Sequence, residues 1–132
     1  MIDRIEIEER FIRFYNENNK LHRLHGPASQ WKSGNKAWYF NGKFHRLDGP
    51  ACEYADGSKV WYLNGKLHRE DGPAVEYADG SKYWFINDKL HREDGPAREY
   101  ADGRKEWWLN DKKYKLERNY WKAVTKLLGK SQ

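Results

Sequence analysis

The chain has a single cysteine, Cys52, in 132 residues, so it cannot form a disulfide within itself. That excludes a disulfide-stapled scaffold and makes a reducing, cytoplasmic compartment the expected location. No apolar run approaches the roughly 18 residues of a membrane-spanning helix. The opening residues, MIDRIEIEER, also lack the apolar centre of a secretory leader. A membrane partner is therefore not expected. Large aliphatic stretches are scarce, and the bulk that is present is aromatic. Rings make up 16% of the residues against 34% charged, which suits a thin sheet covered by flat side chains better than a thick aliphatic core.

What the chain has in abundance is self-similarity. Residues 67–89, LHREDGPAVEYADGSKYWFINDK, align without a gap on residues 90–112, LHREDGPAREYADGRKEWWLNDK. They differ at Val75/Arg98, Ser81/Arg104, Tyr83/Glu106, Phe85/Trp108 and Ile86/Leu109. The same 23-residue period extends backwards through 44–66 to a divergent first unit, 21–43. There His25 replaces the aspartate of Asp48, Asp71 and Asp94, and Trp31 replaces Tyr54, Tyr77 and Tyr100. Repetition at this period marks stacked supersecondary units.

Each unit reads as one β-hairpin. A first strand follows the proline, as in Pro73–Tyr77, because proline fixes φ and withholds a donor at a strand start. Asp56-Gly57, Asp79-Gly80 and Asp102-Gly103 predict type I′ turns. A second strand carries Lys-x-Trp-aromatic-aliphatic, as in Lys59–Leu63, and ends at a turn such as Asn41-Gly42 or Asn64-Gly65. A lone hairpin is not stable in water, so the units must stack into one elongated, twisted antiparallel sheet. Period-two alternation then sets Trp38, Trp61, Trp84 and Trp107 on one face beside Phe40, Leu63, Ile86 and Leu109. Tyr39, Tyr62, Phe85 and Trp108 fall on the other.

The ends differ from the middle. Within 1–20, Arg4–Glu8 alternates Ile5 and Ile7 with charge, a half-buried strand pattern, and Arg10–Tyr15 fits a second strand. The segment reads as a half-repeat covering the open edge, with a short helix as the competing reading. Within 113–132 the repeat fails, and Leu116, Tyr120, Val124, Leu127 and Leu128 recur at helical spacing, with Trp121 flanking. The pattern predicts an amphipathic helix from about Leu116 to Leu128 with Gly129 as its stop, placed as a cap on the array. Lys122 and Lys126 lie on its polar side.

The Asn-Gly-Lys turns at Asn41–Lys43 and Asn64–Lys66, the histidines that follow them and the Tyr-Ala-Asp-Gly turns resemble MORN repeats. The nearer likeness is to the MORN-variant repeats of bacterial and bacteriophage proteins, some of them antitoxin-like. It covers about residues 14–112 and departs from the pattern where His-Arg-x-Asp-Gly-Pro replaces a short His-Gly-x-Gly link. The resemblance implies an elongated sheet of hairpins and protein interaction, sometimes lipid association, without catalysis.

The motifs themselves point the same way. His-Arg-x-Asp at His45–Asp48, His68–Asp71 and His91–Asp94 has one residue too many for a kinase catalytic loop, and no glycine-rich nucleotide loop accompanies it. An active site is needed once, not in every unit. The structural reading has the Asp bonding backbone N–H groups of the Gly-Pro turn while His and Arg bridge neighbouring units. Successive histidines stand two strands apart, about 9–10 Å, which is too far to share a zinc ion with bonds of about 2 Å. No metal, cofactor or catalytic dyad is expected.

Net positive charge is confined to the first unit and the tail. Residues 21–43 carry +4 and 113–132 carry +5, whereas 44–66 are neutral, 67–89 carry −2 and 90–112 carry −1. The expected role is a non-enzymatic module that binds another protein, possessing by its resemblance an inhibitor or antitoxin-like character toward a bacterial enzyme or complex. The candidate contacts are His25, Trp31, Lys32, Lys36 and Trp38 of the divergent unit, the ladder Trp61, Trp84 and Trp107, and Lys122 and Lys126 of the tail. The alternative is a nucleic-acid or nucleotide platform built from rings and lysines. Glu53, Glu76 and Glu99 beside the lysine column tell against a phosphate backbone. The oligomeric state is left open.

Overall fold

A computed structural model describes residues 2–130. The hairpins stack as one long antiparallel sheet of 11 strands, followed by a single C-terminal helix. The sheet begins with β1 (Arg4–Ile7) and β2 (Phe11–Tyr15). Each unit then adds a hairpin, first β3 (Ser29–Trp31) with β4 (Lys36–Ala37). The second strand does not run on through its tryptophan as expected. It breaks there, and the residues beyond pair in a small ribbon of their own, β5 (Tyr39–Phe40) with β6 (Lys43–Phe44). The next unit repeats this with β7 (Cys52–Glu53) and β8 (Lys59–Val60) in the sheet and β9 (Tyr62–Leu63) and β10 (Lys66–Leu67) in the ribbon. So does the third, with β11 (Val75–Glu76), β12 (Lys82–Tyr83), β13 (Phe85–Ile86) and β14 (Lys89–Leu90). Each unit is therefore two hairpins, not one.

The tryptophan is the hinge because its two backbone groups serve different layers. The N–H groups of Trp38, Trp61 and Trp84 donate to the carbonyls of Ala51, Ala74 and Ala97 in the next sheet hairpin, at 2.7, 2.7 and 2.8 Å. Their carbonyls accept the N–H groups of His45, His68 and His91 in the ribbon layer. Ribbons join one another too, as where Gly65 N–H donates to Phe44 and Arg46 N–H to Tyr62. In the last unit, β15 (Arg98–Glu99) is followed by an unbroken β16 (Lys105–Leu109), which pairs with β17 (Lys112–Tyr114). No further sheet hairpin follows to claim the Trp107 N–H, and the strand runs on without a break.

The turns also divide differently from expectation. Type I′ geometry belongs to the Asn turns, where Asn41 and Gly42 have φ of 49° and 80°, and Asn87 and Asp88 have 48° and 68°. At the Asp-Gly turns only the glycine is left-handed, with φ of 95° at Gly57 and Gly80. Gly57 N–H bonds back to Tyr54, Tyr54 N–H to Ser58, and the Asp56 carboxylate accepts Ser58 N–H at 2.8 Å. That is the three-residue loop with a glycine bulge, chosen because Asp56 is held by its own side-chain turn.

Little is deeply buried. Ala28, Ala51, Ala74 and Ala97 are wholly enclosed, one per unit, and Cys52 and Val75 sit beside them. At the N-terminal edge, β1 and β2 form the expected strands, but Ile5 and Ile7 are 53% and 73% exposed rather than half-buried. The register explains it. Ile7 lies opposite Ile12, Ile12 opposite Gln30 and Gln30 opposite Lys36, so the isoleucines share the open polar face of the sheet. At the other end, α1 spans Glu117–Lys130. Its Tyr120 and Val124 are buried on Leu109, with Trp107, Tyr114 and Ala123 packed around them. Gly129 does not stop it. It lies inside the last described turn, where an added Cβ would meet nothing within 4 Å, so no packing calls for a glycine and its cost there is lost helix propensity.

Candidate binding groove

The His-Arg-x-Asp-Gly-Pro segments bring together a fixed set of groups. In the second unit, the Arg46 guanidinium lies 3.8 Å from the centre of the Trp38 ring of the preceding unit. It donates to Asp48 Oδ1 at 3.0 Å, the Pro50 carbonyl at 3.1 Å and Glu53 Oε2 at 2.8 Å. Arg69 on Trp61 and Arg92 on Trp84, both at 3.9 Å, repeat the stacking and the bonds to aspartate and proline, with Glu76 and Glu99 further off at 3.9 and 3.6 Å. The aspartate thus holds the arginine rather than turn N–H groups. The glycine leaves room for the stacked arginine, since a Cβ at Gly49, Gly72 or Gly95 would stand 2.9, 2.8 or 2.7 Å from the guanidinium carbon and displace it. The planar cation is held between ring and backbone while its edge is satisfied by oxygen.

The histidines are also committed. Nδ1 of His22, His45, His68 and His91 accepts the N–H of Asn41, Asn64, Asn87 and Asn110, at 2.9 to 3.0 Å. The ring bond pins the left-handed asparagine within the same 23-residue unit, while the histidine bridges to the preceding unit through its backbone N–H and the arginine through its side chain. The ring bond also fixes the tautomer, leaving Nε2 to carry the proton. His91 Nε2 faces Glu93 at 3.1 Å and His68 Nε2 faces Glu70 at 3.5 Å. Burial holds the His22 pKa below its ordinary value.

Between these loops and the ribbons runs an open groove. Its first station, about 630 Å³, is floored by Trp38 and Phe40 and rimmed by Leu24, His25 and Leu47. The second, about 710 Å³, is floored by Trp61 and Leu63, with Leu47, His68 and Glu70 at its rim. The third, about 740 Å³, is floored by Trp84 and Ile86, with Glu70, Glu93 and Asp94 around it, and the helix residue Leu128 closes its end. Adjacent stations share the loop between them, Arg46–Asp48 and then Arg69–Asp71, so the three follow one another in a row at the period of the repeat.

The channel changes character along its length. Arg23 packs on the Phe14 ring and bonds only the Pro27 carbonyl, because His25 and Gln30 stand where later units have Asp and Glu. Arg46 faces two carboxylates. Arg69 and Arg92 each face two as well, and Glu70 and Glu93 add a third to each loop where Leu24 and Leu47 stand earlier. The first station is apolar and basic, and the last is acidic.

Of the residues singled out in the sequence, His25, Trp38, Trp61 and Trp84 come together in this channel. Trp107 does not. It lies beneath the helix beside Tyr114, because no arginine loop follows to frame a fourth station. Trp31 is on the opposite sheet face, 5.1 Å from Phe11 and 4.9 Å from the Arg13 guanidinium. Lys32 is exposed beyond it, and Lys36 stands opposite Glu53 in the sheet, outside the groove lining. Lys36, Lys59, Lys82 and Lys105 alternate with Glu53, Glu76 and Glu99 strand by strand. Lys122 is exposed on the helix, and Lys126 lines a shallow recess with Leu109 and Tyr114. Missed by sequence reasoning were Leu24, Leu47, Glu70 and Glu93. The signal was present, as x of His-Arg-x-Asp is the position of that segment that changes character along the array, from Leu24 and Leu47 to Glu70 and Glu93.

Cys52 is 4% exposed, and burial pushes its thiol up to about 11, which leaves it without nucleophilic character. Among the described residues, no three His, Cys, Asp or Glu side chains are grouped to hold a metal ion. No helix among them is long and apolar enough to cross a membrane. Comparison with protein families, with curated proteins and with solved structures finds no match to this chain.

Proposed function

We propose that the chain is a non-enzymatic, MORN-like β-hairpin repeat module that binds another protein along the groove. The observation that carries this reading is the succession of three equivalent stations, each floored by a tryptophan and an apolar neighbour, and together graded from apolar to acidic. A channel several residues long suits a polypeptide segment better than a small substrate. The repeated His, Arg and Asp are occupied with one another and with backbone, which argues against their acting as reagents. The resemblance extends the proposal to an inhibitor or antitoxin-like binder of a bacterial enzyme.

Nucleic-acid binding through the basic first unit and tail is the competing reading. The carboxylates interleaved with the lysine column, and those crowding the second and third stations, repel phosphate. The test is affinity capture from cells that make the protein, comparing the native chain with L24E/L47E and with I7E on the sheet edge. The reading requires that the groove variant lose a protein partner that the edge variant keeps. Retention by both, or oligonucleotide affinity that falls steeply with salt, overturns it.

A further inference from the structure

Resting on that reading, we infer that the groove takes an extended, polyproline-II-like basic segment with a cationic side chain at every third residue and an apolar one at the first station. Two independent observations lead there. The first is charge. Glu70, Asp71 and Asp94 are 84%, 88% and 86% exposed along the second and third stations, whereas the first station offers the bare side chains of Leu24 and Leu47 with Asp48 as its single carboxylate. An occupant complementary to both must be apolar at one end and cationic at the other.

The second is spacing. Stations recur every two strands, about 9.4–9.8 Å. A polyproline-II helix has three residues per turn and rises about 9.3 Å in that turn. Every third side chain therefore returns to the same face, one station further on. A β-strand covers a similar length in three residues but turns its third side chain to the opposite side. An α-helix would need about six residues for each step and fits no whole number of its turns. Only the three-residue helix is in register with the repeat, and aromatic-floored channels suit its ridged surface.

The test is fluorescence polarisation with two synthetic peptides of one composition. In the first, Leu-Pro-Pro-Arg-Pro-Pro-Arg, the key side chains are three residues apart. In the second, Leu-Pro-Arg-Pro-Arg-Pro-Pro, they are two apart. The expected result is affinity at least about 10-fold higher for the first, falling about fivefold or more in E70Q/E93Q, with a shallower salt dependence. Equal affinity of the two peptides, or binding by neither, overturns the inference. If the peptides fail in that way while L24E/L47E still loses its protein partner, the groove reading stands and only the peptide geometry is wrong.

Discussion

Arg98 and Glu106 lie directly opposite each other in the last sheet hairpin, with Arg98 Nη1 3.3 Å from Glu106 Oε1. One unit earlier the same two positions are Val75 and Tyr83, also directly opposite. The nearly identical third and fourth units thus exchange a cross-strand apolar pair for a cross-strand ion pair. Trp108, which replaces Phe85, donates its indole N–H to the same glutamate at 3.1 Å. Burial presses the Glu106 carboxyl up, but the donors Trp108, Lys113 and Arg98 outweigh it and hold its pKa below the usual glutamate value. The substitutions are expected to be coupled. R98V and E106Y should each cost about 1–2 kcal/mol, while R98V/E106Y should return to within about 0.5 kcal/mol of the native chain in urea unfolding. Additive losses would mean that the pair does not act as one.

Acid should weaken the fold at the first histidine. The His22 pKa is depressed in the folded chain. Its contribution is therefore complete above the ordinary value of 6.5 and is lost as pH falls below it, where the unfolded chain takes up the proton first. Protonation also fills the Nδ1 that receives Asn41 N–H. The unfolding midpoint should drop between pH 7 and pH 5, and H22Q should flatten the slope. Parallel curves for the two proteins would refute this.

Replacing the stacked arginine by lysine should not be conservative. R69K keeps the charge but cannot span the ring of Trp61, Asp71 and the Pro73 carbonyl together. A loss of about 1–2 kcal/mol is expected, with G72A similar or worse because its methyl meets the guanidinium at 2.8 Å. Chemical unfolding of both variants checks this, and an unchanged midpoint for G72A would show that the loop yields easily.

The helix should be held to the array by one hydroxyl as well as by its rings. Tyr120, fully buried, donates to the Arg92 carbonyl and accepts Gly95 N–H at 3.3 Å. Y120F is expected to lose about 1–2 kcal/mol, with faster amide exchange in α1 than in β11 and β12. Uniform loss of protection across both regions would place the damage elsewhere.

Cys52 should be silent in the native state. Its thiol is buried and pushed up to about 11, so a disulfide reagent at pH 8 should label it at least about 100-fold more slowly than in denaturant. Rapid native labelling would contradict the burial of the alanine–cysteine layer.

The repeat period, the hairpins and the helix were legible because each rests on local rules of turn chemistry and periodicity. The break at Trp38, Trp61 and Trp84 was not. Lys59–Leu63 reads as one strand, and only the rivalry of Ala74 and His68 for the two backbone groups of Trp61 divides it. Ser58 and Ser81 likewise look like plain turn residues, yet each hydroxyl accepts an amide of the following unit, Ala78 at 2.9 Å and Ala101 at 3.0 Å. No repeat follows the last unit, so Arg104 can stand in that column. The groove was legible in part. The tryptophan floor follows from alternation, whereas its rim depends on which loop side chains are left over once arginine and histidine are bonded.

The most direct measurement is site-specific photo-crosslinking in cells, with the crosslinker at Leu47 on the groove rim, 84% exposed, and separately at Tyr77 on the opposite face, 46% exposed. The groove account predicts a discrete protein adduct from position 47 and none from position 77. An adduct from position 77 alone, or nucleic acid recovered from position 47, would contradict it.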